Sequence, residues 1–176
     1  MKRLYKPAVF GCILLWLLTT ALRAETEVPI ARNLQADGQL AHNRQLPILL
    51  AFSAIECGYC ELLEEEFLQP MLLGGEYRDK IIIRKLVLDN ESRLDDFSGK
   101  RIDATRLSDR YRVYVTPTIL FVDEKGTELA ERMVGINTLE LFGGYLDDCI
   151  ETARLMIRNP AGLARLPGCR LQQPHK

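Results

Sequence analysis

Ile48-Leu49-Leu50-Ala51-Phe52 is a continuous apolar run that leads, within five residues, into Cys57-Gly58-Tyr59-Cys60. A run of this length without polar alternation suits a strand buried on both faces, which demands covering layers on either side. From Tyr59 the composition changes to strong helix formers, with Leu62, Leu63, Phe67 and Met71 at helical spacing. The two cysteines therefore fall where a central strand hands over to a helix. Pro70 marks a kink or end of that helix, and Gly74-Gly75 closes it.

The remaining elements follow from periodicity. Residues 30–45 carry a weak helical pattern (Ile30, Leu34, Leu40, Ala41) interrupted by Asp37-Gly38, which predicts a loose first helix. Lys80 to Asp89 is rich in β-branched residues and reads as a second strand. Residues 90–102 are polar, contain Ser98-Gly99 and read as a long loop. Ala104, Leu107 and Tyr111 give a short helix, and Thr118 to Asp123 a third strand. Asp123-Glu124-Lys125-Gly126 turns the chain into a fourth strand, Glu128 to Val134. Leu139, Phe142, Leu146, Cys149, Ala153 and Met156 or Ile157 hold one helix face before Asn159-Pro160. The order α-β-α-β-α-β-β-α predicts an α/β fold, a mixed sheet of about four strands flanked by helices.

With 176 residues, 47% of them hydrophobic, the chain suits one domain. Lys2, Arg3 and Lys6 precede sixteen uncharged residues, Pro7 to Leu22, and small residues near Ala21 and Ala24 follow. This has the shape of a secretory signal, 1–24, with the mature chain starting near Glu25; an uncleaved membrane anchor is the alternative. Cys12 does not suit a lipoprotein site, because Phe10 is large and the apolar run continues past the cysteine. The organisation is thus signal 1–24, domain 25–160 and tail 161–176. A net charge of −1 gives no reason to expect nucleic acid or an anionic membrane surface as partner. Export is the more informative inference, since disulfides persist outside the reducing cytosol.

Two cysteines separated by two residues at a helix start lie one turn apart, close enough to bridge. At the helix N-terminus, Cys57 meets unpaired N–H groups that favour a negative sulfur, which makes it the candidate nucleophile; Cys60, one turn on, is the resolving thiol. An inert bridge and half of a metal site are the other readings of the pair. Zinc needs about four ligands, and beyond the spare cysteines only His42 and His175 exist, neither at ligand spacing. Cys149 falls on the apolar stripe of the last helix and reads as a small buried hydrophobe, with a bridge to Cys169 chemically permitted.

The succession of strand, Cys57-Gly58-Tyr59-Cys60, helix, Lys85-Leu86-Val87-Leu88-Asp89, Tyr111 to Thr118 with Thr116-Pro117, Gly126 and Val134-Gly135 resembles the thioredoxin superfamily from about Pro47 to Ile157. Gly58-Tyr59 and the Thr before Pro117 are most similar to its bacterial periplasmic branch, the disulfide-isomerase and sulfur-oxidation types. The resemblance implies a thioredoxin fold, a cis Thr116-Pro117 bond beside the cysteines, and a Thr116 backbone that pairs with an extended substrate segment. It also implies that Gly135 leaves room for that peptide; a bend in the last strand is the plainer reading of this glycine. Departures are equally plain. The buried acid of the family, six residues before the first cysteine, is replaced by Ala51, and the usual Trp before the motif by Glu56. Glu56 is either a proton acceptor for Cys60 or simply exposed. Lys85 has lost its family partner and either faces solvent or pairs elsewhere. Glu61, Glu64, Glu65 and Glu66 suit the helix dipole yet repel a thiolate, so their net effect is open.

Together with the signal-like start, the resemblance implies an exported, periplasmic thiol:disulfide oxidoreductase that uses the Cys57–Cys60 disulfide as its only redox group, with no cofactor and no metal. Its partners would be exported protein thiols and disulfides, with a membrane thiol reductase as electron donor. The periplasmic isomerases carry a separate dimerisation domain, for which residues 25–46 are too few, so a monomeric reductant is expected over an oxidant or isomerase. The alternative is a binding or chaperone-like protein on the same scaffold, with the cysteine pair idle.

Overall fold

In a computed structural model of the protein, residues 26–88, 93–159 and 169 are described. The expected signal, Cys12, and the tail apart from Cys169 lie outside them. Strand β1 (Ile48–Ser53) is buried along its whole length because it is flanked on both edges and covered on both faces. It pairs in parallel with β2 (Ile82–Val87) and antiparallel with β5 (Thr118–Val122). With β6 (Met133–Val134) beyond β5, the mixed four-stranded sheet runs β2-β1-β5-β6. Strand alternation sends Leu49 and Ala51 into one core and Ile48, Leu50 and Phe52 into the other. Each such fully buried large side chain contributes about 1.5–3 kcal/mol.

Helices α1 (Leu34–Arg44) and α4 (Ala104–Tyr111) supply Leu34, Ala41 and Leu107 to the core shared with Phe52. The opposite core is closed by α2 (Gly58–Leu63), α3 (Gln69–Gly74) and α5 (Leu139–Arg158). Between α2 and α3 a π-helical turn, Glu64–Leu68, carries an N–H of Gln69 to the Glu64 carbonyl. Pro70, which lacks an N–H, sits in the first turn of α3, so the helix is distorted ahead of it rather than ended. Gly75 terminates it in the left-handed region at φ 69°.

Three expectations need correction. Asp37-Gly38 does not interrupt the first helix: the Asn33 side chain caps α1, Asp37 accepts from Arg84 Nε at 2.9 Å, and Gly38 lets the Glu124 carbonyl approach where a Cβ would collide with it. The polar stretch 90–102 is not all loop. Strands β3 (Arg93–Asp95) and β4 (Arg101–Asp103) form a hairpin that buries Leu94 and Ile102 and exposes its charges. One apolar side chain per three-residue strand is too little for periodicity to register. The last strand is shorter than Glu128–Val134, with Glu128 making only an isolated bridge to Val122 before Met133–Val134 pairs with β5. On α5 the buried stripe is Phe142, Leu146, Cys149, Ile150 and Ala153, while Leu139 is exposed.

Candidate active site

Where β1 ends, Glu56 adopts φ 56°, and this left-handed turn delivers Cys57 as the N-cap of α2. The N–H groups of Cys60 and Glu61 donate to the Cys57 carbonyl at 2.8 and 3.0 Å, and the Cys60 N–H also points at Cys57 Sγ, 3.2 Å away. Cys57 and Cys60 are joined by a disulfide across a Cα–Cα separation of 5.2 Å. Cys57 is half-buried, Cys60 is 2% exposed, and Gly58 and Tyr59 between them are exposed. The less buried cysteine is therefore the one at the helix end, where N–H donors and the dipole favour a thiolate once the bond is reduced.

The turn that follows α4 completes the site. Thr116–Pro117 is cis, and Thr116 Oγ1 donates toward Cys57 Sγ at 3.7 Å. Pro117 is buried; its carbonyl accepts from the Gly135 N–H at 2.8 Å, and Thr118 Oγ1 donates to the Val115 carbonyl at 2.6 Å. Gly135 has φ 68°, and a Cβ there would meet only Asn137 Oδ1 at 4.0 Å. The bend accounts for this glycine, and nothing in the chain itself crowds it. Ile55, Tyr59, Val115 and Val134, which flank these segments, stay exposed together with Tyr114 at 78%. With Glu56 in place of the family's Trp, the surface around Cys57 is thus still largely apolar.

Behind Cys60 lies a cleft of about 320 Å³, lined by Ser53, Ala54, Ile55, Glu56, Cys60, Glu61, Glu64, Glu65, Gln69, Lys85 and Val87. Glu56 is exposed on its edge. Lys85 does not face solvent: its Nζ donates to Glu64 Oε2 at 2.7 Å. Nothing local in the sequence joins these two residues, which lie 21 positions apart. The available signal was spacing, since Glu64 lies four residues beyond Cys60 on one helix face. Among the described residues no cluster of three or more His, Cys, Asp or Glu side chains is placed to hold a metal ion.

The second cysteine pair corrects the reading of Cys149 as a free hydrophobe. Cys149 and Cys169 are bridged, Cα–Cα 4.8 Å, and both are buried. That pairing depends on where the tail returns, which helix periodicity does not encode. Its sequestered sulfurs differ from the half-exposed Cys57.

A family model described as a thioredoxin-like domain matches residues 34–150. No curated protein matches the sequence. Among solved structures, a DsbH oxidoreductase is similar at 17% identity and a TM-score of 0.53, covering 78% of this chain and 93% of the other. Thioredoxin O2 from Arabidopsis thaliana, in its oxidised state, is similar at 19% identity with a TM-score of 0.42, covering 70% of this chain and 94% of the other. At such identities the likeness is one of fold, and the fold is that of thioredoxin.

Proposed function

The chain belongs to the thioredoxin-like domain family, and on that footing we propose that it is an exported thiol:disulfide oxidoreductase acting on protein substrates through Cys57 and Cys60. The observation that carries the reading is the bridged pair at the end of β1, with Cys57 half-exposed at a helix N-cap and facing Thr116-Pro117. In the reduced protein, Cys57 attacks a substrate disulfide and forms a mixed disulfide. Cys60 then attacks Cys57 and releases the substrate as a dithiol, leaving Cys57–Cys60 oxidised. Thr116 and Pro117 form the wall against which an extended substrate segment lies, with Gly135 at its far side. Exposed Tyr59, Tyr114 and Val115 give that segment an apolar surface on which to dock.

Export is supported by the basic start and uncharged run at residues 2–22 and by a second, buried disulfide of the kind that persists in oxidising compartments. In that setting the protein works as a monomeric reductant, and a membrane thiol reductase restores its dithiol. The test is turnover of insulin with dithiothreitol as chemical reductant. Acceleration of insulin reduction that is abolished by Cys57→Ser is expected; no acceleration by the folded, reduced protein would instead favour a binding scaffold with an idle pair. The direction is read from the potential of the Cys57–Cys60 couple, expected nearer the value of about −270 mV typical of thioredoxin than the roughly −120 mV of a strong oxidant such as DsbA.

A further inference from the structure

A buried thiol resists ionisation, yet Cys60 must lose its proton before it attacks the mixed disulfide. Strand β1 offers no titratable side chain below it, because the position that faces this core is Ala51. The charged groups at the cleft behind Cys60 are Glu56 from the loop, Glu61, Glu64 and Glu65 from the helix, and Lys85 from β2. Glu56, Glu61 and Glu65 are exposed. Glu64 and Lys85 are different: their side chains are 17% and 18% exposed and joined at 2.7 Å. The Glu64 N–H donates to the Cys60 carbonyl, which sets its side chain one turn beyond Cys60 on the same face. Lys85 is the register partner of Ala51, so its ammonium rises from the sheet to meet the helix.

We propose that Glu64, held in place by Lys85, is the catalytic base that takes the proton from Cys60 when the mixed disulfide is released; this rests on the disulfide-exchange reading above. The Cys60 proton passes to the Glu64 carboxylate, directly or through one water in the cleft. The Cys60 sulfur then bonds to Cys57 as the bond from Cys57 to the substrate breaks. The substrate sulfur leaves with that electron pair and takes a proton from water, so two electrons have passed from the dithiol to the substrate disulfide. Glu64 returns its proton to solvent through the same cleft. Lys85 is a positioning residue: without it the carboxylate is free to swing away from Cys60.

The experiment uses the reduced full-length protein and a symmetric nitroaromatic disulfide that releases one coloured thiolate at each step, so that attack by Cys57 and release by Cys60 appear as two phases. Glu64→Gln is expected to leave the first phase within about twofold and to slow the second by about 10²-fold at neutral pH, the usual scale of general-base catalysis. In that variant the second phase should rise about tenfold per pH unit through and beyond the ordinary thiol range, because burial opposes the Cys60 thiolate. In the unmodified protein it should be much flatter. Glu64→Asp should recover part of the rate, Lys85→Met should give an intermediate loss with the same steepened pH profile, and Glu61→Gln should leave the pH profile of the second phase as flat as in the unmodified protein. A second phase in Glu64→Gln within twofold of the unmodified rate at every pH, or an equal fall in both phases, overturns the assignment of Glu64 while leaving the exchange reading intact. Absence of the first phase in the unmodified protein overturns both.

Discussion

Replacing Asp96 by Asn removes a charge from beneath the β3–β4 hairpin while keeping its shape. Asp96 Oδ1 accepts from Ser98 N–H at 2.9 Å, Ser98 Oγ at 2.6 Å and Lys100 N–H at 2.9 Å, and Oδ2 accepts from Arg110 Nη1 at 2.6 Å. The carboxylate is 3% exposed and Arg110 is 47% exposed. An asparagine oxygen can still accept the three Oδ1 bonds, though more weakly than a carboxylate does, while its NH2 replaces Oδ2 opposite Arg110, so the charge-assisted bond to α4 is lost outright. Such bonds are worth about 1.5–3 kcal/mol. The larger cost of stranding a buried charge does not apply, because Arg110 reaches water when its partner is gone. The expected destabilisation is therefore about 2 kcal/mol near neutral pH. Burial pushes the Asp96 pKa up, but the hydrogen bonds from Ser98, Arg110 and Lys100 outweigh it and hold the carboxyl well below its ordinary value. A depressed folded pKa gives stability that is complete above the unfolded value, about 3.9, and is lost as pH falls below it toward the folded one. The gap between the unmodified protein and Asp96→Asn should persist down to about pH 5 and narrow below about pH 4. Urea unfolding followed by circular dichroism measures it, since the one Trp, Trp16, lies in the expected signal. A gap that stays constant into acid, or one below about 0.5 kcal/mol at neutral pH, refutes the reasoning.

Cys169→Ser should lower stability by about 3 kcal/mol, from loop closure across a 20-residue separation, and leave insulin reduction unchanged within about twofold. Urea unfolding and the turnover assay, run side by side, check this. Gly38→Ala should cost about 1–3 kcal/mol, because its Cβ meets the Glu124 backbone carbonyl, which cannot swing aside as a side chain would. A melting temperature unchanged by Gly38→Ala would contradict that packing.

How much of this was legible depended on how local the cause was. The run at Ile48–Phe52 announces β1 because a strand buried on both faces needs no alternation, and the spacing of Phe142, Leu146, Cys149 and Ala153 announces α5 because the helix repeat is long enough to count. The cis Thr116–Pro117 bond and its nearness to Cys57 came from the family resemblance, not from periodicity. The β3–β4 hairpin was hidden because Leu94 and Ile102 are its only core residues, and its turn is organised by Asp96, whose partners span residues 98–110. The Lys85–Glu64 pair was hidden because it requires the register of β2 on β1 and the seating of the helix above both. Cys149–Cys169 was hidden because it depends on the path of the tail.

The central claim is that Cys57 attacks and Cys60 resolves, and covalent trapping of partners tests it most directly. Cys57 is the half-exposed sulfur at the helix N-cap, whereas Cys60 is buried one turn below. Removing the resolving thiol leaves a mixed disulfide with no internal route to release. Each single variant is expressed in cells as the full chain, the thiols are quenched with acid, and covalent adducts are resolved on a non-reducing gel. Cys60→Ser is expected to accumulate adducts with exported proteins that vanish on reduction, and Cys57→Ser to accumulate none. Equal trapping by Cys57→Ser, or adducts in neither variant, would contradict the account.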